Sequence, residues 1–130
     1  MNRVSLLLCL IVLLPCACTH RGGRAPQSLA GHTLHLTVPV TLQAGSAKDQ
    51  TQNIQVSYRF KNGNVSEKSA GHKVLTYTRK DKKLAEATLS GDVPVLYTLT
   101  FKNAKEGTLN IHRTAANGKE TDSTGSFKVE

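Results

Sequence analysis

Val93 to Ile111 reads "VPVLYTLTFKNAKEGTLNI", and the fold class turns on this stretch. Val95, Tyr97, Leu99 and Phe101 fall at every second position, with Leu96, Thr98 and Thr100 between them. A period of two sets the two groups on opposite faces of a strand, so Tyr97, Leu99 and Phe101 are expected to point inward. "KNAKEG" (Lys102 to Gly107) is polar and turn-forming, and Leu109 and Ile111 resume the alternation. Two alternating runs joined by a short polar turn read as an antiparallel hairpin.

The same period extends outward. Upstream, Leu75 and Tyr77, then Ala85, Ala87 and Leu89, mark two strands separated by the basic turn Arg79-Lys80-Asp81-Lys82-Lys83. One helical turn is the alternative over Lys82 to Leu89, where Lys82, Lys83, Ala85 and Glu86 are good helix formers. Ile54, Val56, Tyr58 and Phe60 form another apolar face, followed at once by Asn62-Gly63. Asn-Gly predicts a type I′ hairpin, with the chain returning through a weak strand over Val65 to Ala70. Leu34, Leu36, Val38, Val40 and Leu42 make the first strand. Pro39 within it lacks an amide donor, which predicts an edge or a bulge. Downstream, "AANGKETDSTG" reads as a polar loop before a short last strand carrying Phe127 and Val129.

About eight short strands with tight turns imply an all-β antiparallel meander. Strands apolar on one face must hide that face, and closing into a small β-barrel does so. The barrel domain is expected over residues 29–130.

Before it lie two segments of different character. Met1-Asn2-Arg3 is positive, and Val4 to Leu14 is almost wholly apolar. Together they read as a secretory signal peptide, residues 1–17, too short for the roughly 20 apolar residues of a membrane span. Two endings compete. Cleavage after Ala17 would release a soluble chain, but Pro15 stands where a small residue is wanted. Alternatively, Leu14-Pro15-Cys16-Ala17-Cys18 resembles a bacterial lipobox stretched by one residue. Cys18 is then the lipid acceptor rather than Cys16, whose cleaved bond would directly follow Pro15. One acyl chain anchors marginally, at about 0.8 kcal/mol per buried methylene, and two or more anchor stably. Cys18, lipidated, opens a Gly- and Pro-containing tether over residues 18–28. Thr19 lacks the acidic character associated with inner-membrane retention, which points to the outer membrane of the cell envelope.

Cys9 and Cys16 leave with the signal, so the mature chain has no second cysteine for a disulfide and the core must hold the fold alone. The chain has 17 basic and 9 acidic residues; without Arg3 the mature charge is about +7. Basic charge commonly indicates nucleic acid, but export excludes that partner. The expected partners are the membrane, through the anchor, and an anionic glycan, headgroup or envelope polymer. The plainer reading is that lysines on turns keep a β-protein soluble. A monomer is expected.

The run "LTYTRKDKKLAEATLSGDVPVLYTLTFKNAKEGTL" (Leu75 to Leu109), then "GSFKV" (Gly125 to Val129), resembles a pattern in small uncharacterised bacterial lipoproteins. There a Tyr-x-Leu-Thr-Phe strand precedes a Gly-Thr hairpin and a final Gly-x-Phe strand. The resemblance covers about the second half of the chain. It implies a lipocalin-like (calycin-like) barrel and an envelope location, without an activity. The Gly-x-Trp signature of lipocalins is missing, since the chain has no tryptophan.

Chemistry is sparse. Of the five histidines, His20 falls in the tether and His72 at a turn, while His32 and His35 are three apart and His112 faces out. No cysteine or carboxylate joins them at ligand spacing, so neither a metal nor a cofactor is expected. Ser123 follows Asp122, but no Gly-x-Ser-x-Gly elbow is present. Gly22-Gly23 opens no phosphate loop, the acids are too scattered for glycoside chemistry, and no catalytic residues are expected. Asn64-Val65-Ser66 matches a glycosylation sequon and reads more simply as a hairpin flank. Tyr58, Tyr77 and Tyr97 could face a ligand at a barrel mouth, or be core. The sequence thus points to a non-catalytic, lipid-anchored envelope protein binding a small apolar ligand or an anionic partner. The alternative is an inhibitor or protein-interaction module resembling barrel-type lysozyme-inhibitor lipoproteins. A void in the barrel would favour the apolar ligand, and a filled interior a surface role.

Overall fold

Alternating apolar residues decide where each strand lies in a computed structural model that describes residues 24–42, 50–69 and 71–130. Seven strands form: β1 (Thr33–Leu42), β2 (Gln50–Arg59), β3 (Leu75–Arg79), β4 (Leu84–Leu89), β5 (Val95–Asn103), β6 (Glu106–Thr114) and β7 (Glu120–Val129). All pairings are antiparallel, in the order β2-β1-β7-β6-β5-β4-β3. The described residues contain no helix. Lys82 to Leu89 resolves in favour of a strand, because Ala85, Ala87 and Leu89 bury one face of β4.

The sheet curls into a half-barrel around one apolar core. Leu99, Leu109, Ile111, Leu34, Leu36 and Phe60 are essentially inaccessible to solvent. The inward set Tyr97, Leu99 and Phe101 is as the period of two requires, with Leu96 and Thr98 half-buried and Thr100 exposed on the other face.

Three expectations are corrected. Seven strands stand where about eight were expected: of the weak strand at Val65 to Ala70, only Val65 forms a bridge, to Thr76. Asn62-Gly63 does turn the chain, with Gly63 at φ 101°, but Asn62 is not at positive φ. The type I′ geometry needs both; instead the chain crosses from β2 toward β3. The polar run before Phe127 is no loop beyond Gly118. Glu120–Gly125 extends β7 and pairs with β6 from Thr114↔Glu120 to Leu109↔Gly125.

The first and last strands meet one strand in from the β2 edge of the sheet. Thr33 and Glu130 exchange backbone hydrogen bonds (2.7 and 2.9 Å), and β1 pairs with β7 from Leu34↔Val129 to Thr37↔Ser126. Beyond Thr37, β1 continues beside β2 alone, to Leu42↔Gln50. Peptide groups alternate sides along a strand, so odd-numbered β1 residues face β7, as Thr33 does. Pro39 therefore aims its missing donor where β7 pairing has already ended. It sits on a local edge inside an otherwise central strand.

The two outer edges of the sheet differ. At β3, the Leu75 amide donates to Ser66 Oγ (2.8 Å), the Ser66 amide to Leu75 O (2.9 Å) and the Tyr77 amide to Asn64 O (2.8 Å). The segment Asn64–Glu67 thus caps β3, and Glu67 N–H reaches Arg59 O (2.8 Å) at the end of β2. Among the described residues, β2 and β3 do not pair with each other. Ser66 is the one buried polar residue of the core described, and its hydroxyl is fully used, donating to Glu67 O (3.0 Å).

Candidate functional site

The N-terminal strap, residues 24–32, is laid across one end of the half-barrel. Ala25 and Leu29 are buried in the core cluster. The Ala25 amide donates to Lys82 O (2.7 Å), and Tyr77 Oη donates to Pro26 O (2.7 Å). Asn64 ties the strap from below: its Oδ1 accepts from Leu29 N–H (3.1 Å) and its Nδ2 donates to Gln27 O (3.2 Å). The expected tether, residues 18–28, therefore lies outside the described residues as far as Gly23, and from Ala25 onward it touches the domain. Cys18 and the signal segment also lie outside them.

Between the strap and the β3–β4 turn opens a polar cleft of ≈ 590 Å³, lined by Gln27, Asn64, Tyr77, Thr78 and the turn residues Arg79 to Lys82. The turn is shaped by Asp81, whose Oδ1 accepts from the amides of Lys83 (2.8 Å) and Leu84 (2.9 Å). Asp81 is thereby occupied with its own backbone. Arg79 Nε donates to Asp81 O (3.0 Å), its terminal nitrogens making no hydrogen bond among the described residues, and Lys80 pairs with Glu86 (3.3 Å). Lys82 makes no ion pair among the described residues. The cleft is thus a partly enclosed concentration of positive charge, able to take a phosphate, sulfate or carboxylate through Arg79 and Lys82.

A second cleft, ≈ 510 Å³ and mostly apolar, runs between Pro26, His32, Ala104, Lys105, Val129 and Glu130 on the strap end. A third, ≈ 230 Å³, lies over Gly107 and Phe127. None of the three reaches Leu99, Leu109 or Ile111.

The three tyrosines lie in the core. Tyr58, Tyr77 and Tyr97 are 6, 1 and 5 % exposed and belong to the core cluster. Burial pushes Tyr58 up to about 12, with Tyr97 adding to the effect. It pushes Tyr77 to about 12 against the opposing pull of Arg79. Tyr97 is raised for the same reason, less the counteracting charge of Arg113. Of the clefts described, the basic one is bordered by Tyr77, whose hydroxyl is held by the strap.

Sequence spacing missed two constellations, because both are assembled across strands. On the outer face, His35 Nδ1 lies 2.6 Å from Ser57 Oγ and His35 Nε2 lies 3.1 Å from Glu130 Oε2. Glu130 can hold the proton on Nε2, leaving Nδ1 to accept from the Ser57 hydroxyl. The order nucleophile–base–acid is that of a hydrolase. The three clefts described do not include Ser57 or His35. The line ties β2, β1 and the end of β7 together. Similarly, His112 and Asp122 are cross-strand neighbours on β6 and β7. The 2.7 Å hydrogen bond between them raises the His112 pKa, with the Asp122 and Glu120 charges adding to it against a smaller opposing effect of desolvation. Register knowledge alone could have found either. No group of three or more His, Cys, Asp or Glu residues able to hold a metal occurs among the described residues.

Comparison with protein-family models, with curated proteins and with solved structures finds no match to this chain.

Proposed function

We propose that this protein is a non-catalytic, lipid-anchored envelope module that works through its surface, its basic cleft engaging the anionic headgroups of the membrane that holds it. The observation behind this reading is the Ala25–Lys82 hydrogen bond. It fixes the cationic β3–β4 turn beside the point where the chain arrives from Cys18. Five residues lie between Cys18 and Arg24, and the six Cα-to-Cα steps, fully extended, reach about 20 Å. An acyl anchor at Cys18 therefore keeps Arg79, Lys80 and Lys82 near the bilayer. Each basic group near an anionic surface contributes about 1 kcal/mol, which adds a second signal to the lipid anchor. The outer membrane fits as the site, and the domain then serves as a lipocalin-like barrel whose seam is bridged by Asn64–Glu67.

Lysine footprinting on the lipid-modified protein tests this. In phosphatidylglycerol vesicles, Lys80 and Lys82 should be acylated several-fold more slowly than Lys119. In phosphatidylcholine vesicles, or at high salt, the difference should vanish. Equal labelling in both vesicle types would overturn the membrane-facing cleft. An intact mass showing an unmodified chain beginning at Cys18 would overturn the anchor.

A further inference from the structure

Among the described residues, the edge strand β2 lacks the usual guards of a sheet edge from Gln50 to Tyr58. Natural edges carry lysine, proline, a bulge or a covering segment, because unpaired amides and carbonyls template further pairing. Gln50 to Tyr58 contains no charged residue and no proline. Its ladder with β1 runs from Thr33↔Arg59 to Leu42↔Gln50 without a register shift. The opposite edge, β3, is capped by Asn64–Ser66, whereas among the described residues only Arg59 O on the outer side of β2 is taken, by Glu67. The Phe60 amide bonds toward β1, at His32 O (2.9 Å). By alternation, Thr51, Asn53, Gln55 and Ser57 aim their backbone groups outward.

We propose that two copies of this chain pair antiparallel through β2, about a two-fold axis at Gln55. The outward set is odd-numbered, so a hydrogen-bonded register must match odd with odd. With Gln55 opposite its own counterpart, Asn53 faces Ser57 of the second copy, and Ile54 faces Val56 of the second copy on the inner side. Directly opposed residues in an antiparallel pair share a face and lie about 5 Å apart. Ile54 is 41 % exposed in the single chain and Val56 half-buried; this register gives each an aliphatic neighbour. A register centred on Asn53 would instead set Ile54 against Gln52.

Charge selects the same strand. The chain carries +8, so two copies repel across most of their surfaces. Gln50 to Tyr58 is a neutral strip where they can approach with the charges held apart. An isologous contact of this kind closes on itself and stops at two, leaving the capped β3 edges outward. The sequence reading expected a monomer; the bare edge, seen only once β2 falls outside β1, is the reason to propose otherwise. The pairing does not depend on the basic cleft.

The test uses the full chain in mild detergent, its protein mass followed by light scattering over a range of concentrations. The wild type should pass from monomer to dimer. Gln55→Pro removes one outward amide without touching the β1–β2 ladder, and should weaken dimerisation about tenfold or more while melting close to the wild type. Register is tested by oxidation: Asn53→Cys mixed with Ser57→Cys should cross-link well above the wild-type background, and Asn53→Cys alone should not. A wild type that stays monomeric overturns the proposal and leaves the edge to a strand of another protein. A dimer that ignores Gln55→Pro, or cross-links best through Asn53→Cys alone, overturns it equally.

Discussion

Phe101 and Phe127 meet edge to face, with ring centroids 4.7 Å apart and planes inclined by 67°. Gly107 is the ladder partner of both. Its missing side chain makes the contact: a Cβ there would come within 2.8 Å of Phe127 Cζ and would strike Thr100 O. The rings cover backbone that a larger residue would push them from, a known use of aromatics over strand glycines. Gly107→Ala should therefore destabilise the domain by roughly 1–3 kcal/mol, the usual range for overpacking. Phe127→Ala should cost about 3–5 kcal/mol. Urea unfolding of the two variants checks both, and wild-type stability in Gly107→Ala would contradict the packing described.

Leu99 is wholly buried, opposite Leu109 on β6 and Ala85 on β4. Leu99→Ala removes side-chain atoms from the buried core, so a loss of ~2–5 kcal/mol is expected. A loss well below that, together with binding of an apolar dye, would mean that Leu99 lines a ligand pocket.

The tyrosines predict a weakness toward alkali. Tyr58 and Tyr77 are raised to about 12, above the ordinary 10.0. The unfolded chain then loses its phenolic protons first as pH rises, so stability is intact below pH 10 and falls between 10 and 12. Tyrosinate absorbance should rise late and together with unfolding, and Tyr58→Phe should flatten the pH dependence. Early tyrosinate formation in a still-folded protein would count against the burial of these rings.

Ser57 and His35 invite a chemical check of the non-catalytic reading. A fluorophosphonate probe should leave Ser57 unmodified, since its hydroxyl lies on the exposed outer face of the sheet, outside the clefts described. Ser57→Ala should cost about 0.5–1.5 kcal/mol, the net worth of one hydrogen bond. Stoichiometric labelling that disappears in His35→Ala would reverse the assignment and make the line catalytic.

Much of the fold is legible in residues taken two at a time. Leu34, Leu36 and Val38, and Tyr97, Leu99 and Phe101, alternate because one face is buried, and the burial confirms it. Strand order is not legible in this way. Nothing local says that β1 leaves the meander to lie between β2 and β7, so the fate of Asn62-Gly63 and the exposure of Ile54 could not be read. Thr121 and Ser123 hid the first half of β7 because that part of the strand pairs with β6 without reaching the core, so no apolar face is needed. Of the site, the basic turn was visible as a charge run. The strap that makes it a cleft was not, because its partner Asn64 lies in a different part of the chain.

The Thr33–Glu130 exchange also dictates a folding order. Strands β3 to β6 are sequential hairpins and can form as they emerge, whereas β1 and β2 alone make only a two-stranded ribbon, marginal in water. The strap, β1 and β2 must wait for the last strand to be made before they have a surface to dock on. Contacts between distant parts of a chain form slowly. The β3–β6 meander can thus be complete while the strap, β1 and β2 still have no partner, and β7 is the strand that joins the two halves of the sheet.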